Sequence, residues 1–264
     1  MLRPRSVLIT GASSGIGRAL ALAYAGPQMR LALIGRDGER LREAAQSAAS
    51  RGADVDIGQI DVRDRAAMQA WIAERDTRIP FDLAIANAGI TTGLSDDAVS
   101  EDPEAVRALI ATNLIGVLNT VEPLIAPMCA RGRGQLAFIG SIAGLRGLPY
   151  SPAYCASKAA VHVYAESLRG RLERKGVLVS LVIAGFVKTP LNDSISSVKP
   201  FELSDTQAAE IIRRGLARGK ATIIFPLVLY FAARFGRVLP ARLTDRLLAQ
   251  FDVEVPKTKE RVHS

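Results

Sequence analysis

Short aliphatic runs at residues 6–10, 30–35, 54–60, 82–86, 135–139, 178–183 and 222–225 alternate with longer helical stretches, among them 16–25, 39–51, 66–75, 104–131 and 153–175. Several of the short runs carry almost no polar residue. A strand can be apolar on both sides only when helices cover both faces of its sheet, as they do when parallel strands are joined by crossovers. The alternation therefore predicts right-handed βαβ units and an α/β, doubly wound sheet. Such a sheet binds ligands beyond the carboxyl ends of its strands, so the informative residues should directly follow each strand. With 264 residues, 48% of them hydrophobic, the chain can bury one large core, and no Pro/Ser-rich linker divides it.

Composition narrows the chemistry. Cys129 and Cys155 are the only cysteines, and His162 and His263 the only histidines. Their spacing fits neither a metal motif nor a disulfide framework, and no metal site is expected. Cys155 reads as a small residue packed behind a helix, and so few thiols suit a reducing, cytoplasmic setting. Met1-Leu2-Arg3-Pro4-Arg5 leads straight into the first apolar run, without the h-region and cleavage site of a secretory signal. No uninterrupted apolar stretch reaches the ~18 residues that a bilayer-spanning helix needs. The net charge of +8 is unevenly placed: residues 211–264 hold eleven Lys/Arg and four Asp/Glu, a balance of +7. That asymmetry calls for an account of the tail alone.

The first strand runs into Thr10-Gly11-Ala12-Ser13-Ser14-Gly15-Ile16-Gly17 at the start of a helix. Glycines permit a tight turn and close backbone approach to a pyrophosphate, and the helix N-terminus offers the anion unpaired N–H groups. Gly11, Ser13, Ser14, Gly15, Ile16 and Gly17 are therefore candidate nucleotide contacts. The second strand ends in Ile34-Gly35-Arg36-Asp37. A carboxylate near this point would favour an unphosphorylated cofactor, and here Gly35 takes the acidic position with Arg36 behind it. The Arg36 guanidinium suits a 2′-phosphate, so NADP(H) is preferred over NAD(H). Asp37 is the counter-evidence, because one residue of shift would reverse the preference. After the third strand, Asp61, followed by Val62, is placed to accept a hydrogen bond from an adenine amine. After the fourth, the small-residue turn Asn87-Ala88-Gly89 would let the chain pass under the cofactor, with Asn87 either a ligand contact or a hydrogen-bonder within the turn.

The sharpest constellation is Tyr154-Cys155-Ala156-Ser157-Lys158. Tyrosine and lysine at i and i+4 share one helix face. A nearby ammonium and a positive nicotinamide ring both favour phenolate, and moving tyrosine from ~10 to about 7 takes roughly 4 kcal/mol. Alone, this spacing is common on helix surfaces. Ser141, thirteen residues earlier at the end of the fifth strand, adds a hydroxyl that can bond a substrate oxygen opposite the tyrosine. Asn113, in the middle of a long helix where propensity disfavours it, is either polar surface or the holder of a water that relays protons to Lys158.

In this combination the chain resembles the short-chain dehydrogenase/reductase family in its compact single-domain form. The resemblance covers residues 6 to about 225 and rests on Thr10–Gly17, Asp61, Asn87-Ala88-Gly89, Asn113, Ser141 and Tyr154/Lys158 in order. It implies a seven-stranded, Rossmann-type doubly wound sheet and a catalytic tetrad of Asn113, Ser141, Tyr154 and Lys158. It implies an NAD(P)-dependent oxidoreductase in which Tyr154 exchanges the proton, Ser141 orients the carbonyl and Lys158 also holds the nicotinamide ribose. Val62, Ala88, Gly185, Val187 and Thr189 join the cofactor contacts. The family's Pro-Gly after strand six is Ala184-Gly185 here, which frees φ at position 184 and leaves the local loop shape open. A homodimer or homotetramer paired through the long helices is the family habit.

Substrate identity is expected in the loop after strand five, the segment after strand six and the C-terminal extension. Ser141, Ile142, Leu145, Leu148, Tyr154, Phe186 and Leu191, with Ile195, predict an apolar pocket suited to a hydrophobic or acyl-bearing small molecule, under a mobile lid over residues 192–200. Residues 1–225 form the catalytic domain and 226–264 a basic amphipathic extension packed on it. That extension could cover the substrate mouth, contact another subunit, or lie on an anionic inner-membrane surface. Nucleic acid is not an expected partner, since aromatic and basic residues do not interleave.

Overall fold

The computed structural model describes residues 4–94, 99–193, 199–240, 242 and 244. Ile195, most of the expected lid and the extension past Thr244 lie outside the described residues. The chain begins β1 (Ser6–Thr10), α1 (Gly15–Tyr24), β2 (Arg30–Gly35), α2 (Gly38–Ala49), β3 (Asp54–Gln59), α3 (Arg65–Arg78) and β4 (Leu83–Ala86). Then come α4 (Pro103–Ile110), a π-helical turn (Ala111–Ile115), α5 (Gly116–Arg131), β5 (Gly134–Ser141), a tight helical turn (Ile142–Gly144) and α6 (Pro152–Leu172). It continues through β6 (Val177–Ala184), β7 (Val187–Lys188), α7 (Pro190–Asp193), β8 (Leu203–Ser204), α8 (Asp205–Ala217), β9 (Thr222–Phe225) and α9 (Leu227–Gly236).

Seven strands form one parallel sheet in the order β3-β2-β1-β4-β5-β6-β9, as the alternation requires. Each central strand divides its side chains between the two faces. Val7, Ile9, Ala137 and Ile139 pack with α1, α2 and α8, whereas Leu8, Leu136 and Phe138 pack with α3, α5 and α6. Both clusters are almost fully buried, which accounts for strands that are apolar on both sides. β1 lies between β2 and β4, so the order reverses there and a crevice opens above its carboxyl end. β7 and β8 form a separate two-stranded pair beside that end.

Local chemistry sets the helix ends. Asp37, Asp64 and Asp102 cap α2, α3 and α4 by accepting backbone N–H bonds from the first turn, and Ser204 with Gln207 forms a capping box on α8. Residues 103–131 are long and apolar enough, by length and composition, to cross a membrane. In the fold, however, Leu109, Val117, Val121, Leu124 and Met128 are buried in the core. Its pitch also changes along its length: a π-helical turn inserts at Ala111–Ile115, around Asn113. At β6 the strand carries on through Ala184, in register with Ser141 and Phe225, so alanine keeps in the sheet a position where proline would remove a donor. α9 packs through Tyr230 and Ala233 on the cluster that includes Ile142, and Arg146 Nη1 donates to the Gly236 carbonyl at 2.6 Å.

Candidate active site

At the switch point, β1 and β4 are tied together by Asn87. Its Nδ2 donates to the carbonyls of Thr10 (2.9 Å) and Gly11 (3.3 Å), and its backbone N–H donates to Thr10 Oγ1 at 3.1 Å. The side chain is thus the hydrogen-bonder within the turn, one of its two expected roles. Gly11 (φ +67°) needs glycine twice over, since a Cβ there would sit 2.9 Å from Ala88 Cα and from Asn87 Nδ2. A Cβ on Gly17 would run into the Gly11 carbonyl, so α1 can start this close to the turn only with glycine at 17.

The cleft above this turn, about 260 Å³, is lined by Gly11, Ser13, Ser14, Gly15 and Ile16 at one end. Arg36, Ile60 and Val62 wall one side, and Asn87, Ala88 and Gly89 form the floor. Ser141, Tyr154 and Lys158 close the far end, beside Gly185, Val187, Thr189 and Leu191. Ser14, the N-cap of α1, makes no side-chain cap hydrogen bond, so the first-turn N–H groups are left for an anion. These donors, with the side-chain-free surface at Gly11 and Gly15, fit the pyrophosphate of a dinucleotide.

Two acidic residues that bear on the cofactor are occupied elsewhere. Asp37 is turned into α2, accepting from Arg40 N at 3.0 Å and pairing with Arg40 Nε at 3.1 Å. Arg36, not Asp37, is the residue that lines the cleft. Asp61 does not line it. Arg63 grips the Asp61 carboxylate with Nε and Nη2 at 2.6–3.0 Å, and Arg36 Nη1 lies 3.9 Å away. Partial burial raises the Asp61 pKa, but the Arg63 hydrogen bonds and both positive charges outweigh it and hold the group below the usual carboxylate range.

At the chemical end, α6 presents Tyr154 half-buried and Lys158 buried. Ser141 lines the cleft beside Tyr154, close enough for its hydroxyl to act on the phenol. Lys158 Nζ donates to the Ile139 carbonyl at 3.0 Å and lies 5.7 Å from the Tyr154 ring centre. The sequence leads one to expect a tyrosine lowered by its lysine. In the protein alone the reverse holds: burial pushes Tyr154 up to about 12, against a smaller lowering by the nearby Ser141 hydroxyl. Burial also brings Lys158 down to about 8. Desolvation disfavours each charged form, and at this separation the ammonium does not overcome it.

Asn113 is not the polar surface residue that was one of its two expected readings. Fully buried, its Oδ1 accepts from Ile90 N (2.8 Å) and its Nδ2 donates to Ile90 O (2.9 Å) and Ser157 Oγ (3.2 Å). The side chain pins the segment after β4 to α6, and its polar atoms are spent on that. Gly89 passes beside it, where an added Cβ would lie 3.3 Å from Asn113 Oδ1 and 3.6 Å from Lys158 Nζ.

Of the expected substrate residues, Ser141, Tyr154 and Leu191 line the cleft, and Ile142, Leu145, Leu148 and Phe186 do not. The tight turn after β5 folds Leu145 into the core and lays Ile142 on the same cluster. Ile90, Thr112, Pro190 and Asn192 line the cleft instead. Two further residues escaped the sequence reading. Glu101 accepts from the Ala153 N–H at 2.8 Å, in the first turn of α6, and from Thr92 Oγ1 at 2.9 Å. His162, at i+8 from Tyr154, accepts from the Ser141 N–H at 3.3 Å. The helical spacing of His162 was a legible signal, whereas nothing local marks Glu101.

Comparison with known proteins agrees with this geometry. The family model for short chain dehydrogenase matches residues 5–200. An uncharacterized oxidoreductase of Myxococcus xanthus is 37% identical over 91% of this chain and 95% of its own. Human 17-beta-hydroxysteroid dehydrogenase type 1 is 36% identical over 72% of this chain and 58% of its own. A crystal structure of a short chain dehydrogenase/reductase from Burkholderia phymatum in complex with NAD superposes with a TM-score of 0.79, at 25% identity, over 89% of this chain and 93% of that one. The chain belongs to the short-chain dehydrogenase/reductase family. It is thereby an NAD(P)-dependent oxidoreductase.

The buried His162 gives the fold a pH signature. Burial and, secondly, Lys158 lower its pKa to about 4, whereas in the unfolded chain it titrates near 6.5. Its contribution is full above about pH 6.5 and is lost as pH falls toward 4, because only the unfolded chain takes up the proton in that window. Urea titrations between pH 7.5 and 4.5 should show up to about 3 kcal/mol of stability lost, and a His162→Gln variant should lose correspondingly less.

Proposed function

We propose that the protein is an NADPH-dependent carbonyl reductase for apolar ketones or aldehydes. The observation that carries the reading is the convergence of Ser141, Tyr154 and Lys158 at the end of a cleft whose other end is the glycine turn and the free N-terminus of α1. Bound NADPH would supply the hydride. Tyr154, held protonated up to about 12, stands ready to give its hydroxyl proton to the substrate oxygen. Ser141 and Tyr154 line the same end of the cleft, so a substrate oxygen there can meet both hydroxyls. Lys158 is anchored on Ile139, and its pKa of about 8 lets it pass a proton near neutrality. Asn113 keeps the floor under Lys158 in place.

For the cofactor, Arg36 on the cleft wall and Asp37 withdrawn into its helix cap support a 2′-phosphate over a bare ribose. For the substrate, the chemical end offers Ile90, Leu191 and the Tyr154 ring, and no carboxylate lines the cleft among the described residues. The hydroxysteroid named in the human relative is an apolar alcohol of this kind. Assembly through the long helices is part of the same reading, supported by Ile115 and Val163, which stay exposed on them.

A second reading places the enzyme at a membrane. The outward face of α9 is apolar: Leu227, Val228, Phe231 and Phe235 are 56–67% exposed. From Pro226 to Arg242 the chain has three arginines and no acidic residue. An apolar ridge flanked by cations suits an anionic lipid surface better than bulk water, and α9 borders the turn after Ser141.

With NADPH and a ketone panel, Tyr154→Phe should lower turnover about 10²–10⁴-fold while cofactor affinity holds. Full activity in that variant would make the assigned chemistry wrong. Arg36→Ala should raise KM for NADPH about ten-fold or more and leave NADH nearly unaffected; an equal rise for both would count against the phosphate contact. The protein should float with phosphatidylglycerol vesicles and not with phosphatidylcholine, and Phe231→Ser with Phe235→Ser should abolish this. A dimer lost in the double variant, with no flotation by wild type, would assign the ridge to a second copy of the chain.

A further inference from the structure

His162 is the only histidine among the described residues, and the mechanism above gives it no part. It stands at i+4 from Lys158 and i+8 from Tyr154, so the three side chains rise along one face of α6. It is 6% exposed. Its Nε2 accepts the backbone N–H of Ser141, and an accepting ring nitrogen carries no proton, which puts the hydrogen of a neutral ring on Nδ1. Burial, with the charge of Lys158, keeps the ring neutral.

The strand is cut to receive this ring. A Cβ on Gly140 would come within 2.7 Å of its Cδ2, and one on Gly144 within 2.7 Å of its Cε1. The imidazole therefore occupies a slot between two glycines that flank Ser141, where β5 ends and the tight turn begins. Ser141 is also held at the end of the ladder, opposite Ala184, and through Oγ, which accepts from Ala143 N at 3.1 Å. The ring adds a side-chain acceptor for its backbone N–H at the point where the strand gives way to the turn.

We propose that His162 is a positioning residue for the reaction, fixing the backbone of Ser141 so that its hydroxyl meets that of Tyr154 at the substrate oxygen. This rests on the reading of Ser141 and Tyr154 as the reacting pair. A histidine that only filled space could be exchanged for an apolar side chain of similar size with little effect on rate. One that orients the serine could not, because a displacement of about 1 Å near the reacting atoms costs on the order of a hundred-fold.

Full-length His162→Leu, His162→Asn and His162→Gln, alongside Tyr154→Phe, test this with NADPH and a ketone that the wild type reduces. Leucine fills the slot without an acceptor, asparagine is too short to reach the Ser141 N–H, and glutamine can set Oε1 where Nε2 stands. Leucine and asparagine should lower kcat about ten- to a hundred-fold. KM for NADPH should stay within about three-fold in all three, and glutamine should restore most of kcat. Wild-type kcat in the leucine or asparagine variant overturns the proposal, and so does glutamine as impaired as asparagine. Should the leucine variant not fold, asparagine against glutamine carries the comparison. Turnover retained in Tyr154→Phe would instead remove the reading of the site itself, so the two failures are distinguishable.

Discussion

A parallel strand can pair with its neighbour only after the chain has crossed back over one face of the sheet. Everything in this protein follows from repeating that crossing. It demands helices on both faces, which makes the strands apolar on both sides and divides the core into two clusters. It also brings every strand out at the same end. Ser141, Ala184 and Phe225 lie side by side in the ladder, and Thr10 is tied to the start of the next turn through Asn87. Residues far apart in sequence thus meet on one rim, and the active site is assembled from the turns that leave it.

The price of that rim is desolvation. Tyr154 and Lys158 stand where the two helix-covered faces close, and burial moves their pKa values apart, to about 12 and about 8. The protein by itself therefore keeps the phenol protonated and the amine close to its titration point.

Much of this was legible in the sequence, and what was not has a physical reason. β1, β2 and β9 end where the aliphatic runs end, because those runs are bounded by turn residues. β5 runs past its aliphatic core to include Gly140 and Ser141, since pairing with Ile183 and Ala184 holds a segment that local propensity would release. The i, i+4 spacing of Tyr154 and Lys158 was readable, because it is local to one helix. The direction of the Tyr154 shift was not, because it depends on how much water the finished fold excludes. The packing of the residues after β5 was hidden for a related reason. Their hydrophobicity is real, but the tight turn spends Leu145 and Ile142 on the core. Asn113 was found by its oddity in a helix, while its partners, Ile90 and Ser157, lie 23 and 44 residues away.

The carboxylate of Glu101 joins two parts of the chain that otherwise belong to different turns. One oxygen holds Thr92, in the stretch after β4, and the other holds the Ala153 N–H, one residue before Tyr154. The first turn of the catalytic helix is therefore latched to the rim opposite. Thr92 is itself buried, so the latch lies within the fold and water does not compete for it. A single side chain thereby ties the stretch after β4 to the helix that carries Tyr154.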